Sequence, residues 1–102
     1  MRFLPHEHAA VTTVLQRHGI DPAQVLFVKR RGRLHVQVPG RADLFSFFRS
    51  KETTLDADGR WVDRTDYFIG EGRGGTPHNW DEVMRAFEGW LGHGKAPPGT
   101  HL

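Results

Sequence analysis

A strict alternation of apolar and polar side chains over residues 33–38 constrains the fold of this chain more than any other feature. The apolar set is Leu34, Val36 and Val38, and the polar set is Arg33, His35 and Gln37. Successive side chains of a β-strand point to opposite faces of the sheet, so the segment predicts a strand with one buried and one solvated face. Such half-solvated strands are typical of antiparallel sheets, which the sequence therefore predicts.

Three more strands are predicted around this segment. Residues 25–30 precede it across Arg31-Gly32, and residues 44–55 and 60–69 lie on either side of a turn at Asp56-Ala57-Asp58-Gly59. Residues 44–49 also fit a short helix capped by Asp43, because Leu44, Phe47 and Phe48 have helical spacing. We favour the strand, since residues 60–69 need a partner strand.

Two helices complete the predicted fold. Residues 5–18 have an apolar stripe that is narrow enough to face a sheet, and Asn79 with Glu82 forms a capping box ahead of a stripe that includes Val83 and Phe87. The element order α-β-β-β-β-α predicts a single-domain α+β two-layer sandwich. In this fold an N-terminal and a C-terminal helix flank one face of a four-stranded antiparallel sheet.

The 102 residues suffice for one domain, which we place at residues 1–91. Residues 92–102 are rich in glycine and proline and predict a flexible tail. The chain has no cysteine, which excludes disulfides and thiol chemistry. The first residues contain no apolar segment of the kind found in a signal peptide, and the sequence has no apolar stretch of about 18 residues, so we expect a cytoplasmic protein without a membrane partner.

No catalytic, metal-binding or cofactor-binding residues are predicted. The seven histidines lack metal-ligand spacing, and we leave open whether they bind a metal or respond to pH. Asp56 and Asp58 resemble the start of a calcium loop, but Tyr67 stands where that loop needs a glutamate. The glycines of residues 70–75 lack the lysine of a phosphate-binding loop. An enzyme is therefore the weakest of our functional hypotheses.

The formal charge of +2 conceals an asymmetry along the chain. Residues 1–55 contain nine basic and four acidic side chains, whereas residues 56–102 contain five basic and eight acidic ones. The basic side chains concentrate at the turn of the first predicted hairpin, residues 29–33, with the sequence Lys-Arg-Arg-Gly-Arg. An acidic or polyanionic partner would meet this part of the chain.

Aromatic side chains concentrate on the second predicted hairpin. Alternation places Phe45, Phe47, Trp61 and Tyr67 on one face of the sheet, and Phe48, Val62 and Phe68 on the other. Because the helices cover only one face, some aromatic side chains should stay exposed, and exposed aromatic and arginine side chains are typical of interfaces. The predicted partner-binding residues are Lys29, Arg30, Arg31, Arg33, Arg49, Phe45, Phe47, Trp61 and Tyr67.

These features favour a small non-enzymatic protein that binds another macromolecule. The first hypothesis is a protein partner, as for an inhibitor, an immunity protein, an antitoxin or a phage-encoded blocking factor. A second copy of the chain, bound through the open sheet face, is another candidate partner. The alternative hypothesis is a DNA- or RNA-binding module that uses the hairpin at residues 29–33.

The element order, with Gly70-Glu71-Gly72-Arg73 before the last helix, resembles a double-stranded-RNA-binding domain over roughly residues 5–91. The resemblance implies that lysines at the start of the last helix bind RNA phosphates. Here residues 74–82 include Asp81 and Glu82 but no lysine, and a fourth strand is predicted. We treat the resemblance as one of topology and do not assign the chain to that family.

Overall fold

A computed structural model describes residues 2–70 and 75–93 of the chain. A single turn of 3-10 helix at Pro22–Gln24 links the first helix to the first strand. The helices and strands are, in order, α1 (Pro5–Arg17), β1 (Leu26–Arg30), β2 (Arg33–Gln37), β3 (Phe45–Leu55), β4 (Trp61–Ile69) and α2 (Trp80–His93). The predicted α-β-β-β-β-α order is confirmed. The predicted tail falls mostly on residues 94–102, which lie outside the described residues.

The four strands form one antiparallel sheet in the order β1-β2-β3-β4. Each strand pairs with its neighbour in the chain, so no connection has to cross the sheet. Residues 45–49 lie in β3, which resolves the choice between strand and short helix in favour of the strand. A fold of this topology is built from local contacts between consecutive elements.

The hydrophobic core lies between the two helices and one face of the sheet. Alternation along the strands directs Leu34, Val36, Phe45 and Phe47 to this face, where they are buried. The helices contribute their apolar stripes at α-helical spacing, namely Val11, Val14 and Leu15 from α1 and Val83, Phe87 and Trp90 from α2. The architecture is therefore the predicted two-layer α+β sandwich.

The start of α2 follows its predicted capping box. The Glu82 backbone N–H donates to the Asn79 side-chain oxygen at 2.9 Å, and the Asn79 N–H donates to Glu82 Oε1 at 2.9 Å. This reciprocal pair satisfies two backbone donors that the first turn of a helix leaves without partners. Among the described residues, neither helix is long and apolar enough to cross a membrane.

The second hairpin extends well beyond the two-layer body. Strand β2 pairs with β3 only at Phe45–Phe47, whereas β3 and β4 stay paired from Phe47 with Ile69 to Leu55 with Trp61. We call the two-stranded part, residues 50–66, the arm. At a rise of about 3.3 Å per residue, the seven steps from Phe48 to Leu55 carry the arm about 23 Å past the end of β2. Most of its side chains are exposed.

A matched pair of valine substitutions should show which part of the sheet holds the body together. Val36 is fully buried, whereas Val62 on the arm is 39% exposed. Val36→Ala should lower the free energy of unfolding by about 2 kcal/mol, and Val62→Ala should change it by less than about 0.5 kcal/mol. Urea denaturation followed by circular dichroism measures both values. Equal losses would contradict the described packing.

Candidate protein-binding surface

The first hairpin presents its basic side chains around a two-residue turn. Arg31 and Gly32 have φ angles of 54° and 76°, the left-handed values that a type I′ turn requires at both central positions. Lys29, Arg30 and Arg31 are exposed and Arg33 is half-buried. Residues 26–37, which we call the basic hairpin, contain these four basic residues and no aspartate or glutamate.

Arg31 occupies a backbone conformation that its side chain disfavours. Left-handed φ angles bring Cβ close to the following carbonyl oxygen, at a cost of about 1 kcal/mol or more for residues other than glycine, asparagine and aspartate. A type I′ turn strongly prefers asparagine followed by glycine. Arginine at this position is therefore unfavourable for the turn, and its exposed guanidinium is the property that asparagine would not provide.

The face of the sheet opposite the helices, which we call the outer face, connects the basic hairpin to an aromatic pair. Phe48 and Phe68 are stacked, with ring centroids 4.8 Å apart and planes 14° from parallel. The Arg33 guanidinium carbon lies 5.2 Å from the Phe48 centroid, within cation–π range. Arg30 lies on the same face and is the direct cross-strand partner of Arg33. This arrangement combines aromatic area with positive charge.

A histidine and a serine lie side by side in the centre of the outer face. His35 and Ser46 pair across β2 and β3, and Nδ1 of His35 is 2.6 Å from Oγ of Ser46. Sequence analysis did not find this histidine beside Ser46, because the pairing depends on the register of the two strands. Both side chains are buried, so a substrate has no access to the Ser46 hydroxyl. Each of these two buried polar groups therefore has the other as a hydrogen-bond partner.

Three of the predicted partner-binding aromatics are buried, so the expectation that they are exposed is wrong. Phe45 and Phe47 are fully buried and Tyr67 is 4% exposed, because α1 and α2 cover the face of the sheet on which they lie. Trp61 is on the same face but at the end of the arm, beyond both helices, and is 70% exposed. Only Trp61 of these four can contact a partner. With Leu55 and Val62, it makes the end of the arm apolar.

Arg49, also predicted to bind a partner, is engaged within the fold, because its guanidinium forms a buried ion pair. Its Nε and Nη2 donate to the two carboxylate oxygens of Glu7, each at 2.8 Å. The Tyr67 hydroxyl donates to Glu7 Oε2 at 2.6 Å, and the Leu4 backbone N–H donates to Glu7 Oε1 at 2.8 Å. Glu7 is fully buried. We call these four residues the Glu7 network.

Sequence analysis missed the structural role of Glu7. Glu7 lies between His6 and His8 near the start of α1, and nothing in this local sequence indicates an ion pair. Its partners are 42 and 60 residues away along the chain, so no local pattern reveals them. The network joins the first turn of α1 to β3 and β4 where the arm leaves the body.

The Glu7 network alters the titration of its members. Burial alone would raise the pKa of Glu7, but hydrogen bonds from Arg49, Tyr67 and Leu4 outweigh it and hold the pKa below its ordinary value. Hydrogen bonding to Glu7 raises the pKa of Arg49, and burial together with the Glu7 carboxylate raises the pKa of Tyr67. Glu7 and Arg49 are therefore ionised and Tyr67 is protonated at neutral pH.

Arg41 is likewise engaged within the fold. Its guanidinium carbon lies 3.8 Å from the centroid of the Trp90 ring, and Nη1 donates to the Trp90 carbonyl at 2.9 Å. Nη2 donates to Asp43 at 3.1 Å, and the Trp90 indole N–H donates to the same carboxylate at 2.8 Å. Arg41 therefore anchors α2 to the loop after β2 and does not belong to the exposed basic set.

The histidines near the start of α1 contact aromatic rings. The His6 ring is 5.5 Å from Trp80 and the His8 ring is 4.5 Å from Phe27. Within residues 2–70 and 75–93, no group of three or more histidine, aspartate or glutamate side chains is placed to hold a metal ion. Part of the predicted glycine-rich loop, residues 71–74, lies outside the described residues.

Comparisons with protein-family models, curated proteins and solved structures find no match for the chain.

Replacing Glu7 with glutamine should make stability less dependent on acid pH. A carboxylate whose pKa is lowered in the folded state stabilises the protein above its unfolded-state pKa, and this stabilisation is lost as pH falls through the folded-state value. At pH 7, Glu7→Gln should lower the free energy of unfolding by about 3 kcal/mol. The difference from wild type should narrow as pH falls below the ordinary glutamate pKa of about 4.3 and Glu7 becomes protonated. Denaturant titrations at pH 7, 4 and 3 measure it, and a constant difference would contradict this assignment.

Replacing Arg31 with asparagine should stabilise the protein. The substitution keeps the turn and removes the unfavourable left-handed arginine, so the free energy of unfolding should rise by about 1 kcal/mol. Arg85→Gln provides a control, because it removes an exposed arginine from the interior of α2. Thermal and urea denaturation of both variants measure the change. A loss of stability in Arg31→Asn would show that the turn does not disfavour arginine.

Proposed function

We propose that this chain is a small non-enzymatic protein-binding module whose basic hairpin binds an acidic surface of another protein. The observation that carries this proposal is Arg31, an exposed arginine in a left-handed turn that favours asparagine. A residue that disfavours its own backbone conformation is more often found where its side chain has a function. Inhibitors, immunity proteins, antitoxins and phage-encoded blocking factors are the classes that fit such a module by analogy.

The charge and shape of the basic hairpin support a protein partner with a negative surface. Residues 26–37 contain four cations and no aspartate or glutamate. Arg33 is already positioned over Phe48, so less side-chain freedom is lost when it binds. Arginine beside aromatic rings is characteristic of the residues that contribute most to interface affinity. Lys29, Arg30 and Arg31 would then form a charged rim that accelerates association.

Trp61 would provide a second contact for the same partner. A tryptophan that is 70% exposed, next to Leu55 at 56%, is an apolar surface that a partner can bury. It lies about 23 Å beyond the basic hairpin along the strand direction. Trp61 lies on the other face of the sheet from Arg30 and Arg33, so a partner that contacts both places must wrap around the edge of the arm.

Nucleic acid remains the second candidate, because the same four cations would bind phosphates. The charge of the arm favours the protein partner instead. Residues 50–66 project beyond the basic hairpin and have an excess of two negative charges. Its acidic side chains are Glu52, Asp56, Asp58, Asp63 and Asp66, and its basic side chains are Lys51, Arg60 and Arg64. A long polyanion on the hairpin would be repelled by this arm.

Charge reversal on the basic hairpin should abolish partner binding. The tagged wild-type protein, Arg30→Glu and the matched control Arg85→Glu are used to capture proteins from the native host, and each captured protein is then purified. We expect one acidic protein to bind the wild type and Arg85→Glu equally, but Arg30→Glu at least about tenfold more weakly. Isothermal titration calorimetry at two salt concentrations measures the affinities, and thermal denaturation confirms that both variants are folded.

The contrary results are equally specific. Equal affinity of wild type and Arg30→Glu for the purified partner would show that the basic hairpin is not the contact. Binding to duplex DNA, single strands or RNA, with a log–log salt slope of about −0.9 per phosphate contact on duplex DNA, would replace the protein partner by nucleic acid. Loss of binding in Arg85→Glu alone would place the contact on α2.

A further inference from the structure

Strand β3 has a free edge along the arm, and the basic hairpin closes one end of it. Among the described residues, β3 over residues 51–55, which we call the free edge, pairs only with β4. Continuing the register of β2 against β3 places Arg33 opposite Phe48, and the Arg33 guanidinium lies over the Phe48 ring. The turn at Arg31 and Gly32 follows on the same line. A strand bound to the free edge must therefore end, or leave the sheet, at this turn.

The strand pairing identifies which backbone groups of the free edge point outward. The Gly70 N–H donates to the Ser46 carbonyl at 2.6 Å, so even-numbered residues of β3 direct their backbone groups toward β4. Alternate residues of a strand direct these groups to opposite sides. Lys51, Thr53 and Leu55 therefore direct their N–H and C=O groups away from β4. Such an unpaired row is a template for another strand, and peptides bind to sheet edges in this way.

We propose that the free edge binds the C-terminal segment of a partner protein as an added strand, antiparallel to β3, with its terminal carboxylate at the turn of the basic hairpin. An antiparallel strand on this edge lies on the line of β2 and runs in the same direction, so its C-terminal end meets the start of β2. The carboxylate then lies beside Arg31. A parallel strand would instead bring a positively charged amino terminus to the same cation.

The position of the turn favours the end of a chain over an internal segment. An internal strand would have to bend out of the sheet at the turn, where its backbone groups would lose their partners. A chain that ends there loses no such pairs. Arg31, exposed and in a left-handed conformation that arginine disfavours, stands at this end of the free edge. A bound carboxylate gives a reason for an arginine at this position.

The side chains of the free edge predict the sequence of the bound segment. A segment of five residues places its last residue opposite Lys51 and its first opposite Leu55. Pairs of opposite charge, of β-branched residues and of apolar residues are favourable across strands. We therefore expect an acidic last residue opposite Lys51 and a basic residue before it, opposite Glu52. A β-branched residue should lie opposite Thr53, and the first residue should be apolar.

The same strand would reach the apolar end of the arm. Leu55 is 56% exposed and pairs with Trp61, which is 70% exposed. An apolar residue opposite Leu55 covers part of this surface. One extended segment of five residues, about 17 Å long, therefore connects the turn of the basic hairpin to the apolar end of the arm. This inference rests on the proposed function, because it names the part of the partner that meets the basic hairpin.

Labelled peptides test the requirement for a terminal carboxylate. The probe is the pentapeptide Leu-Thr-Val-Lys-Glu with a fluorescent label on its amino terminus. It is compared with its C-terminal amide and with a copy extended by two glycines. Fluorescence polarisation should give a Kd below about 1 mM for the probe and at least about fivefold weaker binding for both other peptides. Equal affinity of the probe and its amide would overturn the proposal.

A random library removes the dependence on this one sequence. Pentapeptides with free carboxyl termini, randomised at all five positions, are screened for binding to the wild-type protein. We expect the selected peptides to have an apolar first residue and an acidic last residue, and to lose affinity on amidation. A library without any binder at about 1 mM peptide would overturn the proposal.

Proline substitutions and amide exchange locate the bound strand. Thr53→Pro removes an outward N–H from the free edge and keeps the hydrogen bonds to β4. Thr65→Pro is the matched control, since Thr65 is an exposed threonine whose N–H points outward from the other edge of the arm. Thr53→Pro should weaken binding of the selected peptide at least about tenfold, and Thr65→Pro should leave it unchanged. In the wild type, the peptide should slow amide exchange at Lys51, Thr53 and Leu55, and slowing in β1 instead would overturn this location.

Arg31→Asn tests the contact with the carboxylate. The substitution keeps the turn, and it should weaken binding of the free acid about fivefold and leave binding of the amide unchanged. Arg85→Gln is the control and should change neither. Equal weakening of the acid and the amide by Arg31→Asn would overturn the carboxylate contact.

The partner purified by capture separates this inference from the proposed function. Two glycines added to the carboxyl terminus of the partner should weaken its binding to the wild type at least about fivefold. A partner that binds equally with this extension, but loses binding to Arg30→Glu, would leave the proposed function standing and overturn this inference. Peptide binding as expected, without capture of an acidic protein, would support the strand site and contradict the proposed acidic surface.

Discussion

The buried carboxylate of Glu7 is the group on which the rest of the structure depends. A charge without solvent is stable only when several donors surround it, and here these come from α1, β3 and β4. Arg49 and Tyr67 are paired across β3 and β4, so the network clamps both strands to the start of α1. It thereby fixes where the two-layer body ends and the arm begins.

Most of the fold could be predicted from the sequence because its elements follow local patterns. Alternation at residues 33–38 indicated a strand, and Asn79 with Glu82 indicated a helix start, and both depend on residues only a few positions apart. The division of aromatic residues between the two faces was also correct, with Phe45 and Phe47 on one and Phe48 on the other. Alternation divides the side chains between two faces, however, and does not show which of these faces the helices cover.

The features that were missed depend on contacts between distant residues. Arg49 looked like an exposed cation because nothing near it in sequence indicates Glu7. The length of the arm depends on the register of β2 against β3, which ends the pairing at Phe47 while β3 continues to Leu55. The sequence identifies Arg31 as a basic residue, but only the φ angle of the turn shows that its conformation is left-handed.

The division between body and arm has a consequence for cooperativity. Val36 and Phe87 are buried in the hydrophobic core between the helices and the sheet. Each described residue of the arm, in contrast, is supported only by the strand beside it. The arm therefore forms a unit of lower local stability that opens without unfolding the body. Among the even-numbered residues of β3, whose N–H groups face β4, amide hydrogens should exchange progressively faster from Phe48 toward Thr54, while those in the middle of α2 exchange only with global unfolding. Any strand that pairs with the arm would therefore slow the exchange of these few amides.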